Sequence, residues 1–423
     1  MICPSILLML AVAPQEPLWA QPPIEYGVRP SHDRVARLAE QVAKGERSLD
    51  SDGKGLLPGL LGALGISATS QTTVFSRTSF QPRLITPARP RAVYFSDDVY
   101  VGYVPASDVI EISAVDADEG LIFYTLTSGK EGPIFQRETH RCLQCHAPAR
   151  NGEMPSNLVR SIHPAKDGTP VLRAGSRYVD HTTPYEERWG GWYVTGDTGE
   201  MAHLGNQVLA KEQERLGPRS GEHATLEGLC GLSPYPADTS DVVALLVLEH
   251  QAAAHNALTW AGYESRRALH YQRELNRELK EPVGTTVRST ERRLDVAAKK
   301  VLRALLLADE AQLPNSVGEG SAFAAEFQEA GPNDSKGRSL RDLDLEKRLF
   351  RYPLSYLIYS EVFAGLPERL RERVWRELWR VLNDDHLSAD YPHLDVVDRV
   401  AILEILKETW PGELPDDSNA TGR

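Results

Sequence analysis

Residues 91–126 read RAVYFSDDVYVGYVPASDVIEISAVDADEGLIFYTL and decide the fold. Short links rich in Asp, Pro, Ser and Gly divide this stretch into runs of alternating β-branched and aromatic residues. Such runs are typical of β-strands, and links this short favour antiparallel neighbours over crossover connections. An earlier run, TTVFS at 72–76, has the same composition. We therefore predict an antiparallel meander over residues 72–126.

Weaker patterns flank the meander on both sides. Two further strand-like runs follow it, VLRAG at 171–175 and RWGGWYVTG at 188–196. Before it, Ser31 has the chemistry of a helix N-cap, and apolar residues at helical spacing predict a short helix to about Gly45. The Gly- and Leu-rich stretch 49–65 is too broken for a long helix, so we predict a loop that packs on the core.

Beyond Asn206 the apolar residues recur at helical spacing, and prolines stand where helices can begin or must end. Helices are predicted over Val208–Leu216, Asp241–Leu279, Ser289–Leu307 and, in several pieces, Leu340–Leu406.

These patterns together predict an α+β fold with two domains. At 423 residues the chain is too long for one ordinary core. We expect a β-rich domain of antiparallel strands over 21–205 and an all-helical domain over 206–410. The polar stretch 411–423 is predicted to be disordered.

Residues 1–20 resemble a signal peptide. They contain an apolar run from Ile6 to Ala13 and a small residue, Ala20, at which a signal peptidase could cut, although no Lys or Arg precedes the run. No later stretch reaches the roughly 20 apolar residues that span a bilayer. We therefore expect an exported mature chain without an integral membrane span.

The composition, with 41% hydrophobic and 25% charged residues, is that of a folded globular protein. The formal net charge of −12 repels nucleic acid and favours basic protein partners.

The segment RCLQCHAP at 141–148 contains the pattern C-x-x-C-H. This spacing is typical of c-type haem attachment, in which two thiols bind the haem covalently and the adjacent imidazole ligates the iron. The pattern predicts one haem c per chain, held by Cys142 and Cys145 and with His146 as the proximal iron ligand. Because covalent attachment takes place outside the cytoplasm, the motif and the leader-like start both predict a periplasmic protein.

Two other interpretations of the cysteine pair stay open. A thioredoxin-type redox pair would need a helix after the pair, and Pro148 and Gly152 interrupt any long one. A structural zinc site would need four ligands, and the sequence shows no second cysteine pair. The two remaining cysteines, Cys3 and Cys230, are too few and too scattered for a disulfide scaffold.

The sixth iron position decides whether such a protein carries electrons or binds small molecules, and a second His or Met closes it. We place His203 first, His181 second and Met201 third. His203 and Met201 lie just past the last strand-like run, in a loop able to fold back over the haem, and His181 lies in the same domain. The sequence offers four weaker choices, Met154, His163, His250 and His255. Each candidate by itself is more often an ordinary hydrogen-bonded side chain.

Residues that could form a haem pocket stand in the same region. Trp189 and Trp192 would supply flat apolar walls, and Arg160 and Arg188 could pair with the propionates. Arg173 and Arg177 are further cations of this kind. The same residues are equally typical of a packed core and a solvated surface.

The helix VVALLVLEHQAAAHNALTWAGY is apolar on nearly every side, which indicates burial. It nevertheless contains Glu249, His250, His255 and Asn256, and buried polar groups need partners. A hydrogen-bond network between the domains is the favoured interpretation, with a haem ligand or a separate metal site as alternatives.

Several stretches of this chain resemble uncharacterised bacterial cytochrome-c-like proteins with one haem motif. They are TTVFSRTSFQ, RAVYFSDDVYVGYV, CLQCH, DHTTPYEERWGGWYVTG, VALLVLEHQ and YPLSYLIYS. The resemblance covers nearly the whole chain after about Gln71 and implies c-type haem binding without an established substrate. Members have His and then Met before Gly-Asn, where this chain has HLGN at 203–206. Leu204 cannot ligate iron, and this difference favours His203.

Three functions follow from these expectations. The first is a monohaem electron carrier that exchanges electrons with redox partner proteins. The second is a haem enzyme or gas sensor whose sixth position is open or displaceable to a small-molecule ligand. The third is an interaction protein that haem mainly stabilises. The residues leave open whether the protein is an enzyme.

Overall fold

The computed structural model describes residues 16–49, 55–149, 152–384 and 390–412. It confirms the predicted α+β fold, with a seven-stranded antiparallel sheet in the N-terminal half and helices in the C-terminal half. The strands are β1 (Thr72–Val74), β2 (Arg91–Phe95), β3 (Val99–Tyr103), β4 (Val109–Asp116), β5 (Gly120–Gly129), β6 (Gly132–Arg137), β7 (Arg160–Ile162), β8 (Ser176–Tyr178) and β9 (Trp192–Tyr193). The helices are α1 (Arg34–Ala43), α2 (Leu56–Ala63), α3 (Leu143–His146), α4 (Val242–Leu279), α5 (Arg288–Leu305), α6 (Ala322–Glu329), α7 (Glu361–Ala364), α8 (Glu368–Asn383) and α9 (Val396–Thr409).

The sheet has the order β6-β5-β4-β3-β2-β1-β9, so β1 to β5 form the predicted meander, β6 extends it at one edge and β9 pairs with β1 at the other. Strand β6 was not predicted, because Pro133 weakens its pattern and Ile134 is 54% exposed at the edge of the sheet. The predicted strand 171–175 is wrong. It forms a 3-10 turn whose Leu172 is 81% exposed, while Val171 and Ala174, three residues apart, pack in a small cluster with Leu209, so the buried residues do not alternate as in a strand.

Each face of the sheet is covered by a different helix. The register aligns Tyr100 with Ser113 and Ser113 with Phe123, so these three side chains share one face. The hydroxyl of Tyr100 lies 2.7 Å from Nδ1 of His255, which places α4 on that face. On the opposite face, Tyr124 donates a hydrogen bond to Asp33 at the start of α1.

The helices before the meander differ from the prediction. The N-cap of α1 is Asp33, whose carboxylate accepts hydrogen bonds from two backbone amides, whereas the hydroxyl of Ser31 lies 2.8 Å from that of Tyr124. Helix α2 forms where a loop was predicted, because Leu57, Leu60 and Leu61 are buried on one side of it. Burial of that apolar stripe outweighs the low helix propensity of its Gly and Pro.

The two longest predicted helices are confirmed as α4 and α5. Asp241 caps α4 by accepting hydrogen bonds from the amides of Val243 and Ala244. The predicted helix 208–216 is wrong, since this segment forms turns and bends. Its Leu209 and Leu216 are buried in a small cluster beneath the loop, so helical spacing is not required to bury them. Residues 340–355 are likewise not helical.

One hydrophobic cluster extends from the sheet through α4 to the C-terminal helices, across the boundary predicted near residue 206. It includes Ile112 of β4, Leu258 of α4 and Leu294 of α5. Among the described residues, no helix combines the length and apolar character needed to cross a membrane.

Candidate functional site

The C-x-x-C-H motif forms a single helical turn, α3. The amides of Cys145 and His146 both donate to the carbonyl oxygen of Cys142, at 3.2 and 3.0 Å. Positions three and four residues apart lie on the same side of a helical turn, so the two thiols and the imidazole share one face. Both cysteines are free thiols; Cys145 is exposed and Cys142 is partly buried.

Ser156 holds His146 through three contacts. Nδ1 of His146 lies 2.8 Å from the carbonyl oxygen of Ser156, and the amide and hydroxyl of Ser156 each donate to the carbonyl oxygen of His146 at 2.8 Å. Because a carbonyl only accepts, Nδ1 carries the proton of the neutral imidazole and Nε2 is left as a lone-pair donor. Among the described residues, Nε2 has no hydrogen-bond partner. Burial lowers the pKa of His146, and the hydrogen bond to Ser156 raises it by a smaller amount. The net decrease favours the neutral imidazole.

The motif rests on the face of the sheet that carries α4. The ring centroid of Phe123 in β5 lies 4.6 Å from that of His146. Burial raises the pKa of Cys142 to about 12, and the nearby carboxylates of Glu138 and Glu111 act in the same direction. A redox-active cysteine pair needs the opposite, a thiolate stabilised near neutral pH. The electrostatics of Cys142 therefore do not favour the thioredoxin interpretation.

The zinc interpretation gains no ligands from the fold. Within the part of the chain that the structure describes, no group of three or more His, Cys, Asp or Glu side chains is arranged to hold a metal ion. The motif does fit haem c, because it presents two free thiols and one imidazole whose Nδ1 is engaged and whose Nε2 is available.

The structure does not bring His203 or Met201 to the motif. Both belong to the loop beside β9, where the amide of Asn206 donates to the carbonyl oxygen of Trp192 at 2.9 Å. Strand β9 lies five strand spacings from β5, on the order of 24 Å. His203 is buried, its Nδ1 accepts from the amide of Gly205 at 3.0 Å, and its Nε2 has no hydrogen-bond partner in the described part of the chain. Burial lowers the pKa of His203 to about 4, with His223 adding to the effect.

His181 lies closer to the motif than His203 and Met201 do. The amide of Val179 donates to the carbonyl oxygen of Val159 at 2.9 Å, which extends the β7–β8 ladder towards Asn157 and His181. Both of these side chains line one cavity, and Asn157 directly follows Ser156. Of the three sequence-predicted distal ligands, His181 is thus the one nearest to the motif.

The four predicted pocket residues lie near β7 and β9 and have other partners. Arg188 donates to Glu249 at 2.7 Å, and the indole of Trp189 donates to the other oxygen of that carboxylate at 2.6 Å. Trp192 donates to the backbone carbonyl of Arg160 at 2.8 Å. Of these four side chains, Trp189 packs against His203, with 5.2 Å between ring centroids, whereas the guanidinium of Arg160 donates to Ser176 at 2.9 Å.

The polar residues of α4 form the predicted hydrogen-bond network. Its contacts are Glu249 with Arg188 and Trp189, His250 with the hydroxyl of Ser355, His255 with Tyr100, and Asn256 with the backbone of Asn157. Of the residues that contact the motif, sequence reasoning missed Ser156 and Phe123. Ser156 reaches Nδ1 through a backbone carbonyl, which no side-chain pattern reveals.

Comparison with known proteins adds no relatives, since no family model, curated protein or solved structure matches this chain.

Proposed function

We propose that this protein is a c-type haem protein that carries one haem on Cys142, Cys145 and His146 and transfers electrons. The observation that carries the proposal is the 2.8 Å contact between Nδ1 of His146 and the carbonyl oxygen of Ser156. A haem-ligating histidine needs its second ring nitrogen held in this way, because that bond fixes both the tautomer and the orientation of the ring. When bound, the haem would supply a one-electron redox centre.

The remaining residues of the site position this ligand set. The one-turn helix directs both thiols to the same side as His146, and Phe123 supports the ring from the sheet. The half-buried position of Cys142 and the exposed position of Cys145 leave both sulfurs reachable for attachment. A net charge of −12 favours a basic redox partner.

The absorption spectrum tests this function. The purified protein should show reversible reduction with the sharp bands of a low-spin c-type haem. Rapid binding of carbon monoxide to the reduced protein would contradict a closed sixth position and support the second function, a haem enzyme or gas sensor. One observation favours that second function: His203 and Met201 lie far from the motif, and a sixth position that neither of them occupies is open to a small molecule.

Export to the periplasm belongs to the same proposal. Residues 1–15, with the apolar run, lie outside the described residues. Within the described chain, the amide of Leu18 donates to Glu153 at 3.0 Å, and Trp19 packs 6.0 Å from Tyr26 between ring centroids. A cut after Ala20 would remove both contacts.

A further inference from the structure

A cavity of about 700 Å³ lies between the segments 157–159 and 178–182 on one side and helices α4 and α5 on the other. Neither cysteine of the motif lines it, nor does His146. The volume is in the range of small-molecule binding sites. Its α4 wall consists largely of Ala252, Ala253 and Ala257, whose short side chains leave the space open.

A buried polar atom of one cavity-lining residue lacks a partner among the described residues. His181 is 8% exposed, and its Nδ1 makes no hydrogen bond within the described chain. The side chain of Asn157 is instead engaged by the sheet, since its Oδ1 accepts from Ser113 at 3.0 Å and its amide interacts with the hydroxyl of Tyr100. A buried polar group without a hydrogen bond costs on the order of 1–3 kcal/mol. A molecule bound in the cavity would supply the partner that Nδ1 of His181 lacks.

Helix α5 lines the cavity with three cations. Lys299 lies 3.6 Å from Asp390, and Arg303 pairs with Asp309. Lys300 has no carboxylate partner among the described residues, and its ammonium lies 4.7 Å from the ring centroid of Trp260. The cavity thus has one basic side chain whose charge is not neutralised within the described chain.

We propose that this cavity binds a small organic carboxylate with an apolar body and a hydroxyl group. Lys300 pairs with the carboxylate, the alanines and Val159 contact the apolar body, and His181 binds the hydroxyl. The site is separate from the haem motif, and its occupation does not depend on the proposed function.

The probe is 4-hydroxybenzoate, with 4-hydroxybenzamide as its uncharged counterpart of nearly equal shape. Isothermal titration of the haem-bearing protein should show binding of the acid and binding about tenfold weaker for the amide. Lys300→Met should weaken binding of the acid by about tenfold, because it removes the unpaired charge. Lys299→Met is the matched control, since Lys299 has its own partner, and it should leave the affinity within about threefold.

A variant that fills the cavity shows whether the acid binds in this cavity or elsewhere on the protein. Ala253→Leu should abolish binding while the far-ultraviolet circular dichroism and the haem spectrum stay those of the wild type. The proposal is wrong if the acid shows no binding at millimolar concentrations, if the amide binds equally well, or if Ala253→Leu retains the affinity. Each of these results leaves covalent haem intact, so it is distinguishable from failure of the proposed function.

Discussion

Ser156 acts on His146 through its backbone and through its side chain, and mutation can separate the two. Ser156→Ala keeps the backbone carbonyl that accepts from Nδ1 of His146. It removes the hydroxyl that donates a hydrogen bond to the carbonyl oxygen of His146. We expect the free energy of unfolding to fall by about 1 kcal/mol in urea titrations, the usual value of one buried hydrogen bond. Ser220→Ala, at an exposed position where the hydroxyl has no hydrogen bond within the described chain, is the control and should change it far less. An equal decrease in unfolding free energy in the two variants would mean that the hydrogen bond from the Ser156 hydroxyl to His146 does not stabilise the fold.

His255 makes stability depend on pH. It is fully buried against Tyr100, and burial lowers its pKa to about 3, below the ordinary value of 6.5. Because the unfolded chain binds the proton more tightly, this histidine stabilises the fold above pH 6.5 and loses that contribution as the pH falls towards 3.

Urea titrations at pH 7 and pH 5 measure this contribution. The loss of unfolding free energy between the two pH values should be about 2 kcal/mol smaller in His255→Asn than in the wild type. His32→Asn, at an exposed position, should retain the wild-type difference. An unchanged difference in His255→Asn would show that His255 is not buried in its neutral form.

The sequence predicts those residues of the site whose own side chains would bind the haem or the iron. Cys142, Cys145 and His146 are visible as a spaced pattern, and the one-turn helix places them on one side. The partner of Nδ1 could not be predicted, since every residue has a carbonyl. The position of His203 depends on where β9 joins the sheet, and a two-residue strand gives no pattern that fixes its neighbour.

At the scale of elements, alternation over 91–126 was sufficient to predict the meander, because each strand buries at least one face. Helix α4 could be predicted for a similar reason, since its apolar run is long and Asp241 caps it. The misses are short elements at edges. Residues 56–63 form α2 although their helix propensity is low, because the helix buries its leucines against the core. Residues 208–216 do the reverse: they bury Leu209 and Leu216 as an irregular loop and form no helix.

The β4–β5 turn fits against α4 only because it contains glycine. Gly120 has φ +69°, and a Cβ there would lie 2.4 Å from Cγ2 of Thr259. Gly45, just after α1, has nearly the same φ, +73°, and no neighbouring atom within 4 Å of a Cβ. Gly120→Ala therefore adds a clash with α4 to the backbone strain, whereas Gly45→Ala adds strain alone.

Thermal and urea unfolding of the two variants isolates this helix–sheet contact. Gly120→Ala should lose about 2 kcal/mol more unfolding free energy than Gly45→Ala. If the two variants are equally stable, close packing of the turn on α4 is not important for the fold.

At the scale of the whole molecule, the sheet, α4 and the C-terminal helices share one core. A boundary near residue 206 was predicted from the change in periodicity, which marks a change of element and carries no information on whether the elements pack together. Because α4 contacts both the sheet and α5, it links the face that holds the motif to the helical half of the chain.

The proposed export concerns the whole chain, and N-terminal sequencing can test it. We expect the mature protein from a periplasmic fraction to begin near Gln21, because the apolar run and Ala20 have the chemistry of a cleaved signal peptide. A haem-bearing protein that retains Met1 would contradict cleavage at this position.

Covalent haem attachment tests the central claim most directly. The protein, expressed with export and haem maturation, should retain its haem through acid–acetone extraction and have the intact mass of the chain plus one haem. Replacing Cys142 and Cys145 together with Ala should abolish the covalent haem, and Cys230→Ala, the control for loss of a thiol elsewhere, should leave it in place. Haem that is extracted freely from the wild-type protein, or a wild-type mass without haem, would contradict the assignment.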